Sequence, residues 1–171
     1  MPGSGKSTVG RQLARKLGVG FVDADQVIEL RIAGRIREFF EREGEPAFRD
    51  MESQVLDDMT RTACGVLATG GGAVLRETNR SLLRERTHVI YLRVTPDELY
   101  RRLRHDTQRP LLQVGDPKAK LLELFEQRDP SYQAAAHFVI ETNRPRIPTM
   151  VNMIMSQLEL AGLLPIETPT T

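Results

Sequence analysis

The sequence predicts an α/β protein built around a parallel sheet. Short apolar runs alternate along the chain with longer amphipathic stretches, which is the pattern of strands joined by crossover helices. The predicted strands are Gly20 to Val22, Gly65 to Ala68, His88 to Leu92 and Phe138 to Ile140. The predicted helices are Ser7 to Leu17, a pair within Gln26 to Met59, Thr78 to Arg84, Pro96 to Arg104, Pro117 to Gln127 and Pro148 to Leu160. In a doubly wound sheet, ligands bind at the carboxyl ends of the strands.

The first eight residues, Met1-Pro2-Gly3-Ser4-Gly5-Lys6-Ser7-Thr8, match the second part of a phosphate-binding P-loop, G-x-x-x-x-G-K-[ST]. Gly3 and Gly5 allow the backbone to turn so that successive N–H groups point at phosphate oxygens. Lys6 then places a cation on the transferring phosphate, and the Ser7 hydroxyl is a ligand for Mg²⁺. The alternative is a flexible Gly/Ser-rich terminus. We disfavour it because an amphipathic helix follows directly, as the motif requires.

Composition limits the classes of partner. The chain has 171 residues, a formal net charge of +1 and 27% charged residues, so no strong basic field points to nucleic acid or a membrane surface. The single cysteine, Cys64, lies in an apolar run and is expected to be a buried core thiol. No disulfide is possible within one chain, and no apolar stretch reaches membrane-spanning length. We expect a cytoplasmic protein.

Two polar motifs follow predicted strands. Asp23-Ala24-Asp25 ends the first, and in extended chain its two carboxylates lie on the same side, one toward Mg²⁺ at Ser7 and the other toward a substrate hydroxyl. A helix N-cap with a solvated neighbour is the alternative. The glycines 70, 71 and 72 follow the next strand, where they allow a ligand to contact the backbone. A flexible turn is the alternative.

Three arginines have sequence contexts that differ from those of ordinary solvent-exposed arginines. Arg109 precedes Pro-Leu-Leu in an arginine-rich stretch, which indicates a lid that carries positive charge over the phosphates. Arg49 lies beside Glu52 on a predicted helix, and Arg128 lies where one helix is expected to close and another to open at Pro130. Guanidinium groups pair well with a substrate carboxylate, although a structural salt bridge is the commoner role of a helical arginine.

Taken in order, these motifs resemble the shikimate kinase family over nearly the whole chain. The shared motifs are the P-loop, D-x-D at 23–25, G-E-x-x-F-R-x-x-E at 44–52, G-G-G at 70–72, R-P-L-L at 109–112, R-x-P-x-Y at 128–132 and T-N-R-P at 142–145. The resemblance implies transfer of the ATP γ-phosphoryl group to the 3-hydroxyl of shikimate, a step toward chorismate and the aromatic amino acids, with Mg²⁺ as cofactor.

The resemblance also assigns roles to residues. The residues expected to bind the ATP phosphates are Gly3, Ser4, Gly5, Lys6, Ser7 and Thr8. Those expected to bind Mg²⁺ are Ser7 and Asp23. Asp25 is expected to bind the shikimate hydroxyls and to accept the attacking proton, with Lys6 and Arg109 as the other catalytic residues. The carboxylate is assigned to Arg49 and Arg128, and the ring to Gly70, Gly71 and Gly72. Arg104 and Arg144 are expected to flank the adenine.

In fold terms the resemblance implies a P-loop kinase, a three-layer α/β/α domain with parallel strand order 2-3-1-4-5, in which strand 1 is missing from this chain. We expect one domain over residues 1–163, substrate-binding helices over about 25–60, a lid over about 104–116 and a disordered tail over 164–171. The first P-loop glycine and a strand would precede Met1, so we expect the reading frame to continue upstream through a glycine and an apolar strand.

Other functions share part of the pattern. A gluconate-kinase-like or adenylate-kinase-like enzyme has the P-loop but does not account for the other motifs together. A truncated, non-catalytic nucleotide-binding module is the rival from a different class, and a motor ATPase is disfavoured by size. The expected partners are shikimate and ATP, with no nucleic acid or membrane, and the expected state is a monomer.

Overall fold

The computed structural model describes residues 3–62, 64–104, 116–141 and 146–164. The strands are β1 (Gly20–Asp23), β2 (Gly65–Ala68), β3 (Ile90–Arg93) and β4 (Phe138–Glu141). The helices are α1 (Lys6–Leu17), α2 (Ala24–Arg31), α3 (Ile36–Thr62), α4 (Glu77–Arg86), α5 (Pro96–Leu103), α6 (Pro117–Ala135) and α7 (Ile147–Leu160). No helix within these ranges is long and apolar enough to cross a membrane.

The four strands form two separate parallel pairs. β1 pairs with β2, with Gly20 opposite Gly65, and β3 pairs with β4, with Ile90 opposite Phe138. These are the pairs that the order 2-3-1-4-5 predicts for its second, third, fourth and fifth strands. The described residues contain no strand that joins β2 to β3. Instead, a cavity of about 480 Å³ is lined by both strands and by α1, and it extends to the P-loop.

Three apolar clusters hold the helices against the strands. One joins α1 and α7 to β3 and β4, through residues that include Leu13, Leu92 and Ile154. A second lies among α2, α3 and α4. The third joins β3 to α5 and α6, and its Leu99 and Val94 are fully buried. Together the clusters hold the carboxyl ends of β1 and β2 close to the start of α1.

Local sequence signals explain several helix ends. α1 stops at Gly18, which adopts φ 67° and returns its N–H to the carbonyls of Ala14 and Arg15. The N-cap of α5 is Thr95, whose side chain accepts from the Glu98 N–H, and Pro96 occupies the first turn. The N-cap of α6 is Asp116, whose carboxylate accepts from the Ala119 N–H. These signals are short-range, which is why the sequence locates these ends to within a few residues.

Three expectations differ from the structure. Asp25 does not extend the strand: it lies in the first turn of α2, and Asp23 is the N-cap. α6 runs unbroken through Pro130, where the sequence predicts one helix to close and another to open. Cys64 is exposed rather than buried; it directly precedes β2 and lines the cavity of about 480 Å³.

The long helix α3 is also interrupted. Gly44 leaves the helical conformation with φ 83° and ψ 172°, so the segment consists of two helical parts around this residue. The second part carries Arg49 and Glu52. At the other end of the chain, Leu164 is partly buried and packs against the cluster that joins α1 and α7 to β3 and β4. Residues 165–171, most of the predicted tail, lie outside the described residues.

Candidate active site

The P-loop has the backbone geometry of an anion site. Gly3 and Gly5 adopt φ 77° and 84°, in the left-handed region that favours glycine. A Cβ at Gly3 would lie 2.9 Å from the Leu103 side chain, so this position also lacks space for a side chain. α1 begins immediately afterwards at Lys6, and no side chain caps its N-terminus. Its first N–H groups and the positive end of its dipole are therefore available to a phosphate.

The predicted Mg²⁺ ligands Ser7 and Asp23 are in contact. The Ser7 hydroxyl donates to Oδ2 of Asp23 at 2.8 Å, and Oδ1 of Asp23 accepts from the Asp25 N–H at 3.1 Å. Asp23 is buried, with 8% exposure. A hydroxyl and a carboxylate beside a phosphate site form the hard oxygen set that Mg²⁺ prefers, so these residues fit the ion.

Asp25 lies at the centre of the charged residues. It is half-buried, and its carboxylate interacts with the charges of Lys6, Asp23 and Arg49. Burial raises the pKa of Asp25 above its ordinary value, Lys6 acts in the opposite direction, and Asp23 adds to the increase. A raised pKa makes this carboxylate a stronger proton acceptor than a solvated aspartate.

Arg49 is held by two carboxylates and by the glycine segment. Its Nη1 donates to Glu52 at 2.7 Å, and its Nη2 lies 3.2 Å from Glu45. Only 13% of the Arg49 side chain is exposed, and Glu52 is fully buried. A Cβ at Gly72 would lie 2.1 Å from Nη1 of Arg49, so the guanidinium rests directly on the glycine backbone. Burial raises the pKa of Glu52, and its hydrogen bond with Arg49 acts in the opposite direction.

Gly70 lies against the carboxylates of both Asp25 and Glu52. A Cβ at this position would lie 2.8 Å from Oδ1 of Asp25 and 3.0 Å from Oε1 of Glu52. Any side chain here would displace one of them, which explains the glycine better than a flexible turn does. Gly71 completes the segment, and its carbonyl accepts a hydrogen bond from the Tyr132 hydroxyl. The three glycines therefore contact residues of α2, α3 and α6.

A second cavity adjoins the P-loop on the side of α5 and α7. Its volume is about 630 Å³, and its lining comprises Gly3, Gly5, Glu98, Arg101, Arg102, Arg146, Ile147 and Met150. Arg102 pairs with Glu98 at 2.9 Å and donates to the Gly3 carbonyl at 3.4 Å. Arg104, the predicted adenine residue, follows the last turn of α5, is exposed and is absent from this lining.

The structure thus brings together most of the predicted site. One region is surrounded by Lys6, Ser7, Asp23, Asp25, Arg49 and the glycines 70 to 72. Arg128 lies one helical turn before Tyr132, whose hydroxyl donates to the Gly71 carbonyl. Arg109 and Arg144 lie outside the described residues, as does most of the predicted lid. Sequence reasoning assigned no role to Tyr132, Arg102 or Arg146. For Tyr132 a signal existed, since it lies one helical turn after Arg128.

The chain is similar to known proteins over nearly its whole length. A family model described as shikimate kinase matches residues 2–159. The chain is 56% identical to the shikimate kinase of Paracidovorax citrulli over 96% of this chain and 92% of the relative. It is 54% identical to the shikimate kinase of Ralstonia nicotianae over 95% of this chain and 85% of the relative.

A solved structure supports the same conclusion for the fold. The shikimate kinase of Acinetobacter baumannii in complex with shikimate superimposes with a TM-score of 0.86 at 43% identity, covering 95% of this chain and 90% of that one. The predicted fold class, a P-loop kinase with a parallel α/β core, is confirmed by this likeness. Family model, relatives and structure agree over nearly the full length, and the chain belongs to the shikimate kinase family.

Proposed function

We propose that this protein transfers the γ-phosphoryl group of ATP to the 3-hydroxyl of shikimate and releases shikimate 3-phosphate and ADP, a step in chorismate and aromatic amino acid biosynthesis. The observation that carries the proposal is the position of Asp25, whose carboxylate interacts both with the P-loop Lys6 and with Arg49. A carboxylate between a phosphate cradle and a cation for an acid substrate suits transfer to a hydroxyl of that substrate.

The acceptor site uses charge and backbone contact. We assign the shikimate carboxylate to Arg49 and Arg128, and the ring to the glycines 70 to 72, where the absence of side chains lets a ligand approach the backbone. Arg49 is already oriented by Glu52 and by Gly72. Binding therefore costs little side-chain entropy at this arginine.

Asp25 has the properties of the proton acceptor. Its raised pKa and its position beside Lys6 place a base near the phosphate that the hydroxyl attacks. Phosphoryl transfer depends mainly on positioning and on charge stabilisation, and it requires no covalent enzyme intermediate. Lys6 and the N–H groups at the start of α1 supply the charge stabilisation among the described residues.

The nucleotide is held on the opposite side of the P-loop. We assign the phosphates to Gly3, Ser4, Gly5, Lys6, Ser7 and Thr8, and Mg²⁺ to Ser7 and Asp23. When bound, Mg²⁺ neutralises charge on the phosphates. The 630 Å³ cavity beside Gly3 and Gly5 accommodates the rest of the nucleotide, with Arg102 and Arg146 in its lining. Arg109 as the lid arginine and Arg144 beside the adenine remain proposals from sequence.

We further propose a monomer in the cytoplasm, organised as one domain over 1–163 with its lid over about 104–116 and substrate-binding helices over about 25–60. The helices α2 and α3 support the last assignment, because they carry Asp25 and Arg49. Size-exclusion chromatography with light scattering tests the monomer.

The decisive assay measures ADP formation by the purified protein with and without shikimate. We expect shikimate to accelerate ADP release many-fold over basal hydrolysis, while gluconate and AMP do not. Acceleration by gluconate or AMP instead would contradict the assigned acceptor. ATP binding with no acceptor-dependent turnover would favour the nucleotide-binding module.

A further inference from the structure

Tyr132 connects the two halves of the acceptor site. It lies on α6, is buried with 8% exposure, and its ring stacks on Tyr91 with centroids 4.9 Å apart and planes inclined by 19°. Its hydroxyl donates to the carbonyl of Gly71. Arg128 lies one helical turn earlier on α6, and its guanidinium acts on the same hydroxyl. Because the phenolic proton goes to Gly71, the oxygen presents only lone pairs to Arg128, whose guanidinium has only donors.

Tyr132 and the glycine segment adjoin both arginines of the proposed acceptor site, Arg49 and Arg128. Arg49 rests on Gly72, and the Tyr132 hydroxyl on which Arg128 acts donates to Gly71, so adjacent glycines adjoin the surroundings of the two arginines. The distance between the guanidinium groups is therefore set through the glycine segment. Two arginines bind one carboxylate well only if their separation is fixed before the ligand arrives.

The ring and the hydroxyl of Tyr132 have separable tasks. The stacked ring fills space in the cluster formed by β3, α5 and α6, and this packing does not require the hydroxyl. α6 is anchored independently by Asp129, which accepts from the Tyr91 hydroxyl at 2.8 Å and from Arg93 at 3.0 Å. Removal of the Tyr132 hydroxyl thus leaves the helix in place and releases Arg128 and Gly71 from each other.

We propose that Tyr132 is a positioning residue for acceptor binding, whose hydroxyl fixes Arg128 and the Gly71 carbonyl relative to each other. The proposal rests on the proposed role of Arg128 in binding the shikimate carboxylate. It predicts an effect on the acceptor and none on the nucleotide, because the P-loop and the 630 Å³ cavity do not include Tyr132.

The test is Tyr132→Phe, which keeps the ring and removes the hydroxyl. We expect the KM for shikimate to rise about tenfold, the size of one lost hydrogen bond to a charged group, with the KM for ATP and the melting temperature nearly unchanged. Tyr91→Phe is the matched control, since it removes the hydroxyl of the stacked partner, which donates to Asp129 at 2.8 Å. This control is expected to keep the shikimate KM of the wild type, because Arg93 and Gln133 still donate to Asp129 and hold α6 in place.

A double-mutant cycle separates positioning from packing. In an Arg128→Ala background, Tyr132→Phe should add little to the shikimate KM, because the residue through which it acts is gone. Equal effects in both backgrounds would overturn the proposal, as would a wild-type shikimate KM in the single variant or a Tyr132→Phe protein that does not fold. Arg128→Ala measured alone tests the assignment of that arginine separately.

Discussion

The cavity between β2 and β3 predicts that an added strand stabilises the protein. Both strands are four residues long and line the cavity, and the pairs they belong to are parallel. The perturbation is a fusion of six alternating Ile and Val residues and one glycine ahead of Met1, which places the new segment where the P-loop begins. Extended at about 3.3 Å per residue, six residues exceed the length of both strand edges.

The expected stabilisation is estimated from the side chains and backbone groups that the added strand would bury between β2 and β3. Burial of six side chains at about 2 kcal/mol each contributes about 12 kcal/mol, and about eight new backbone hydrogen bonds contribute about 8 kcal/mol. Ordering of six residues costs about 15 kcal/mol in backbone and side-chain entropy. The net gain is about 5 kcal/mol. For a protein of this size that corresponds to an increase in melting temperature of roughly 10–20 °C.

The assay is thermal unfolding followed by circular dichroism, with a seven-residue Gly/Ser extension as the matched control. We expect the apolar extension alone to raise the melting temperature and to protect amide protons of β2 and β3 from exchange. Equal melting temperatures for the two extensions would show that the cavity does not accept a strand.

Three further changes test individual groups. Arg49→Ala or Arg128→Ala should each raise the shikimate KM about tenfold to a hundredfold and leave the ATP KM unchanged, with only partial recovery in the lysine variants. Asp25→Asn should abolish most turnover while ATP binding survives, and wild-type kcat/KM should rise with pH through an apparent pKa above 3.8, since the base must be ionised. His137→Gln should reduce the acid sensitivity of the melting temperature below about pH 6.5, the pKa of an unfolded histidine.

The folded protein favours the neutral form of His137. The pKa of His137 is lowered by burial first and then by the charges of Arg84 and His88, and its Nδ1 accepts from the Val89 N–H at 3.0 Å. The unfolded chain therefore takes up the proton at a higher pH than the folded one. Stability from the neutral ring is present above the unfolded pKa and is lost as pH falls through the folded one. Parallel pH profiles for wild type and variant would contradict this.

Short-range chemistry explains what the sequence could predict. The cap at Thr95 and Pro96 and the glycine end of α1 at Gly18 depend on residues within one turn, so the sequence alone gives these boundaries. The P-loop conformation at Gly3 and Gly5 is encoded in the same local way. The fold class follows from the alternation of apolar runs with these helices.

Long-range contacts explain what the sequence could not predict. α6 continues through Pro130 because neighbouring Asp129 is fixed to Tyr91 and Arg93 of β3, a contact between residues far apart in the chain. The local rule that proline ends a helix is overridden by this anchor. Asp25 lies in the first turn of α2, and not in an extension of the strand, for a different reason. The carboxylate of Asp23 caps that helix and so starts it earlier than the strand pattern suggests.

Motifs in the sequence point to individual residues of the candidate site, but they do not identify side chains that only the fold brings together. Lys6, Asp25 and Arg49 follow from motifs. Arg102 and Arg146 line the cavity beside the P-loop that we propose for the nucleotide, whereas the sequence favoured Arg104, two positions after Arg102. Helical phase within an arginine-rich stretch decides which side chain faces the cavity, and composition alone does not reveal it.

The identity of the phosphorylated product decides whether the protein catalyses the proposed transfer. The purified protein is incubated with ATP, Mg²⁺ and shikimate, and the reaction is followed by phosphorus NMR. We predict that the γ-phosphate signal disappears while signals of ADP and of a phosphate monoester on the shikimate 3-oxygen appear in equal amounts. Release of the γ-phosphate as inorganic phosphate, with shikimate unchanged, would contradict the account.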